Sequence, residues 1–138
     1  MAVGFTVKFL WYQIGSGDFL HSFFSTVAYR LEKGSWGSVY PVIMNELYQG
    51  ELSVDKVPLA IDELKCIKNE LKKFSPNQVI WDIDDLSKQP PWGKGISADI
   101  TDLSNYYVTS DGEDFLTVFE RALNEAIEWD SPIKISSL

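Results

Sequence analysis

The period of the hydrophobic pattern changes near the N-terminus, and that change narrows the folds open to this chain more than any other feature. Val3, Phe5, Val7, Phe9 and Trp11 occupy alternate positions, with Gly4, Thr6 and Lys8 between them. A period of two predicts a strand with one buried face. Gly15 and Gly17 break the run, after which Phe19, Leu20, Phe23, Phe24, Val27, Ala28 and Leu31 recur every three or four positions. That spacing predicts an amphipathic helix, capped by Ser16 or Asp18 and stopped at Gly34. A half-buried strand feeding an amphipathic helix calls for a sheet with helices packed on it.

The remaining pattern fills in the same architecture. Residues 34–41 read as a loop carrying Trp36, followed by a short helical piece over Val42 to Tyr48. From Val54 to Phe74 the stripe Val57, Ala60, Ile61, Leu64, Ile67, Leu71 and Phe74 holds helical phase. Ser53 is its expected N-cap, and Pro58 lies early enough to be tolerated in the first turn. Gln78 to Asp82 is β-branched and aromatic, which predicts a strand. Residues 87–98 read as loop and Asn105 to Thr109 as a further strand. Ser110 and Glu113 have capping-box spacing ahead of a helix that runs to about Trp129. Ile133 to Ile135 then predicts a last, edge strand. The expected fold is α+β, one domain over residues 1–138, in the order β-α-(short α)-α-β-β-α-β. It places a single layer of about four strands under three longer helices.

Charge and composition exclude several functions. The net charge is −8, which repels phosphate backbones and attracts a basic protein partner. Cys66 is the only cysteine, so no internal disulfide forms and a reducing compartment fits. The apolar N-terminus has Lys8 in its middle and no basic region before it, unlike a signal peptide. No run approaches the ~20 apolar residues of a membrane span. These features predict a soluble, cytoplasmic protein that binds neither nucleic acid nor membrane.

The inventory for catalysis is thin. His21 is the single histidine and lies on the polar side of the first predicted helix, where a solvated or capping role accounts for it. Cys66 flanks the stripe of the long helix and reads as a small, semi-buried residue. Zinc sites need clustered Cys and His, and no glycine-rich phosphate loop is present. In the stretch VIWDIDDLSKQPPWG (79–93), Asp82 and Asp84 would share one strand face about 6–7 Å apart. That pair could hold Mg²⁺ with waters for phosphoryl transfer or hydrolysis, although no third ligand or base is identifiable. The competing account has Asp84 or Asp85 capping a turn through Leu86 and Lys88. Pro90 and Pro91 stiffen the approach to Trp92, which suits either an interface anchor or a plug at the sheet edge. Trp36, in its glycine-bounded loop, is a second exposed-aromatic candidate, and an aromatic surface serves a homodimer equally well.

The segments FLWYQIGSGDFLHSFFST (9–26), PVIMNELYQG (41–50), FSPNQVIWDIDDLSKQPPWG (74–93) and LSNYYVTSDG (103–112) resemble the bacterial immunity protein 70 family, over nearly the whole chain. The resemblance implies an α+β antidote protein that binds and neutralises a cognate polymorphic toxin domain. It implies no enzymatic activity and no cofactor, and it carries over no catalytic residue. A basic toxin, such as one acting on nucleic acid, suits the acidic balance. Asp84 and Asp85 are then candidate rim charges and Trp92 and Trp36 candidate anchors.

Overall fold

The alternating N-terminal run folds back on itself instead of continuing. In the computed structural model, which describes residues 2–93 and 95–137, strand β1 covers Val3–Val7 and β2 covers Leu10–Gly15. The two pair antiparallel, with Phe5 opposite Tyr12 and Val7 opposite Leu10. Lys8 takes a left-handed φ of 57° at the turn, and Phe9 is 92% exposed at the tip. The single strand expected through Trp11 is therefore a hairpin. Residues 9 to 14 are mostly apolar, so the alternation can be read in either phase, and Leu10, Tyr12 and Ile14 carry the helix-facing side onward. Trp11 falls on the opposite face, over Gly4, where any Cβ would collide with the Trp11 ring and the Tyr12 carbonyl.

The described residues form one antiparallel sheet of four strands in the order β2-β1-β4-β3, with β3 at Glu51–Leu52 and β4 at Ile133–Ser137. Strand β4 was expected at an edge; it is internal, because Leu52 and Glu51 pair along its outer side. Of the three longer helices, α1 (Gly17–Thr26) and α3 (Phe115–Glu128) pack on the sheet, and α2 (Val57–Leu71) packs against α3. Phe5 meets Phe119 of α3 at 4.8 Å and Phe23 of α1 meets Phe115 at 5.0 Å, so one aromatic core joins sheet and helices. The fold is α+β, as the pattern predicts. Ser16 caps α1, its hydroxyl accepting the Phe19 N–H at 3.1 Å. Among the described residues no helix is long and apolar enough to cross a membrane.

Two expected strands are absent from the sheet. Of the residues expected in the strand, Gln78 ends a short 3₁₀ turn, Pro76–Gln78, and residues 79–82 follow it unladdered. Their backbone groups are taken by side chains spaced along one face of α1 and the π-helical turn Val27–Leu31 that extends it. Arg30 Nε donates to the Gln78 carbonyl (2.9 Å), Ser22 Oγ to the Ile80 carbonyl (2.8 Å), and Thr26 Oγ1 accepts the Ile80 N–H (3.0 Å). The Ile83 N–H reaches Ser25 Oγ at 3.1 Å. Tyr107, fully buried, puts its hydroxyl 2.7 Å from Thr26 Oγ1. Burial pushes its pKa far above the ordinary tyrosine value, so it stays protonated. Asn105 to Thr109 likewise makes only an isolated bridge, Val108 with Asp114.

The capping box expected at Ser110 is displaced as well. Asp114 is the N-cap of α3, accepting the Thr117 N–H at 3.1 Å, while the Ser110 N–H goes to the Ile14 carbonyl at 2.9 Å. Ser53 stands at the cap position of a 3₁₀ turn, Val54–Lys56, ahead of α2.

The hydroxyl network gives a direct prediction. Thr26→Val keeps the side-chain shape but leaves the buried Ile80 N–H unpartnered, which should destabilise the protein by about 1–2 kcal/mol. Thermal melting measures the loss, and amide exchange should accelerate at Ile80. Unchanged exchange there would mean that Thr26 does not hold the segment.

Candidate functional site

The strapping of residues 78–83 onto α1 brings together side chains far apart in the sequence. His21, one position before Ser22 on α1, faces Asp82, with Nε2 3.3 Å from Oδ1. The Asp84 N–H donates to the same Asp82 oxygen at 2.9 Å, and Lys88 Nζ lies 3.4 Å from Oδ2. The Asp84 amide, helped by Lys88 and His21, holds the Asp82 carboxyl below the ordinary aspartate range. One ligand atom from each of His21, Asp82 and Asp84 lies within 4.8 Å of the other two.

The aspartates thus make turns, not a strand face. Asp82 closes a turn on Asp84, and Asp85 closes the next, accepting from the Ser87 hydroxyl at 2.6 Å and amide at 3.1 Å. Those two bonds lower the Asp85 pKa. Asp84 and Asp85 are exposed. The expected strand face shared by Asp82 and Asp84 is gone, and His21 stands beside them as a third group able to offer a ligand atom. The signal that could have found it is the α1 spacing: Ser22, Ser25 and Thr26 are buried polar residues on one face, and His21 borders them.

Aromatic residues wall the other side of His21. Trp36 stacks on the imidazole with ring centres 6.4 Å apart, and the Tyr48 hydroxyl lies 3.4 Å from Nδ1. Trp36 and Tyr48 touch edge to face at 4.8 Å, above the buried ring of Phe24. Trp36 is half-buried, its indole N–H donating to the Met44 carbonyl at 2.7 Å. Its loop is built by carboxylates. Buried Glu32 accepts the N–H groups of Gly37, Val39 and Tyr40, all at 2.9 Å. Glu63 accepts those of Val42 and Ile43 at the start of the π-helical turn Val42–Glu46. Burial raises the Glu63 pKa against the pull of these amides. Gly37 sits at φ 78°, and a side chain there would strike Asn45.

Trp92 combines features of both readings. It is 40% exposed, yet its indole N–H donates to the Tyr106 hydroxyl at 2.8 Å and its ring stands edge-on to Trp81 at 5.4 Å. Trp81 adjoins Asp82, so contacts run from Trp36 through His21 and Asp82 to Trp92. Of the four residues picked out from the sequence, Trp36 lies against His21, Asp84 and Asp85 lie in the turns that follow Asp82, and Trp92 lies against Trp81. Tyr48 and Tyr106 adjoin them and had no sequence signal strong enough to single them out. Cys66 lies elsewhere. It is exposed and not semi-buried, beside an open cavity of about 570 Å³ lined in part by Tyr40, Glu63 and Glu70.

The arrangement offers a rigid, half-exposed aromatic surface edged with carboxylates, which is suited to gripping a protein with complementary charge. Residues 5–135 match the family model described as Immunity protein 70. No curated protein and no solved structure matches the chain.

Proposed function

From the premise that the chain belongs to the immunity protein 70 family, we propose that it binds a cognate bacterial polymorphic toxin domain and neutralises it by stoichiometric protein–protein inhibition. The family match over residues 5–135 carries this reading. The net charge of −8 supports a basic toxin, such as a nuclease, whose positive cleft an acidic antidote would find quickly. The protein acts as one binding domain in the cytoplasm, with no catalytic residue of its own. Trp92 and Trp36 anchor the partner, and Asp84 and Asp85 form the charged rim.

The test is co-expression with the toxin domain encoded beside the gene. Growth should be restored and a one-to-one complex should survive gel filtration; continued killing with both proteins present would refute the reading. The rim has its own signature. Asp84→Asn combined with Asp85→Asn should slow association and flatten its salt dependence while leaving dissociation nearly unchanged. Surface plasmon resonance at two salt concentrations decides this, and an unaltered association rate would move the steering charge elsewhere.

A further inference from the structure

We propose that His21, Asp82 and Asp84 form a binding site for a late first-row divalent cation of the zinc type, which clasps the 79–85 segment to α1. Ligands about 2.0–2.1 Å from a tetrahedral zinc stand about 3.3–3.4 Å apart along the tetrahedron's edge. His21 Nε2 and Asp82 Oδ1 are already 3.3 Å apart. Asp84 needs only a side-chain turn to complete the set, since its ligand oxygen lies within 4.8 Å of both, and it is exposed and unconfined by packing.

The surroundings of the imidazole match what metal-bound histidines need. A bound histidine engages its second ring nitrogen with a partner that fixes ring orientation. Here the Tyr48 hydroxyl, 3.4 Å from Nδ1, occupies that place, and the Trp36 ring limits rotation. Three side chains from two separate segments converge, and one of them is an imidazole held half-buried on a helix. That distinguishes the group from a run of surface carboxylates. The competing occupant is weak: Lys88 Nζ, on a side chain 57% exposed, sits 3.4 Å from Asp82 Oδ2. An exposed ion pair of this kind contributes little, so a divalent cation displaces it readily. The donor set also selects the cation. One imidazole with two carboxylates favours zinc, cobalt or nickel, whereas magnesium prefers oxygen ligands and keeps most of its waters. Three protein ligands leave a fourth position open for water or a partner side chain.

The site can be tested on the free protein, without any toxin present. Calorimetric titration with zinc should show one saturable site per chain, with magnesium binding far more weakly. Cobalt(II) should develop the visible absorption of a four-coordinate complex, and saturating zinc should raise the melting temperature. His21→Gln keeps a hydrogen-bonding side chain facing Asp82 and Tyr48 but is a poor ligand. It should weaken zinc binding about tenfold or more without lowering the melting temperature of the metal-free protein. Asp84→Asn, at an exposed position, should act in the same direction. The proposal is overturned by the absence of saturable zinc binding. It is equally overturned if zinc binding survives both His21→Gln and Asp84→Asn, or is abolished by Cys66→Ser instead.

Discussion

Glu32→Ala should destabilise the protein by about 2–4 kcal/mol, because the buried Tyr40 amide left without an acceptor costs about 1–3 kcal/mol and the part-buried Gly37 and Val39 amides add less. Glu32 is 2% exposed, and its two carboxylate oxygens serve the amides of Gly37, Val39 and Tyr40. Those three amides shape the loop that carries Trp36, so stability and the aromatic surface fail together. Near-ultraviolet circular dichroism should lose part of its tryptophan signal below the main melting transition. Glu32→Gln is the sharper comparison. It keeps one acceptor oxygen but adds a donor where the site presents only donors, and it should recover less than half of the loss. If Glu32→Ala melts within about 1 kcal/mol of the parent, water has replaced the carboxylate and the loop does not depend on it.

Trp92→Ala should weaken the complex with the cognate toxin by at least ~2 kcal/mol, about thirtyfold in affinity, mainly through faster dissociation. The proposed anchor is preorganised. Trp81 and the Tyr106 hydroxyl fix its ring before any partner arrives, so little side-chain entropy is lost on binding. Circular dichroism and melting must first show the variant folded, since Trp92 also covers Trp81. A folded variant with unchanged kinetics would remove Trp92 from the interface. An unfolded one would make it part of the core. Trp92→Phe separates the indole's two roles, keeping most of the apolar contact while losing the bond to Tyr106.

Much of the helical framework is legible in the chain. The stripes Phe19 to Ala28, Val57 to Leu71 and Phe115 to Ala126 become α1 with its π-helical extension, α2 and α3, with Val57, Ala60, Leu64, Ile67 and Leu71 all buried. The strands are less legible. Gln78 to Asp82 has the residue types of a strand, but such types record only compatibility with a half-buried, extended surface. The candidate surface is legible in part. Trp36, Asp84, Asp85 and Trp92 stand out by composition, whereas the place of His21 beside Asp82 could not be read from residues 61 positions apart.

By itself the sequence determined what depends on near neighbours: the hydrophobic period of each helix, a cap at Ser16 or Asp18, the acidic balance and the stiffened Pro90-Pro91-Trp92 approach. Helical periodicity is a local property, repeated over several turns and hard to misread. Only the tertiary structure decided which groups satisfy the backbone of residues 78–83. A ladder partner and the hydroxyls of Ser22, Ser25 and Thr26 are equivalent as hydrogen-bonding groups, and the choice between them follows from how α1 docks. That one docking removes a strand from the sheet and turns Asp82 toward His21.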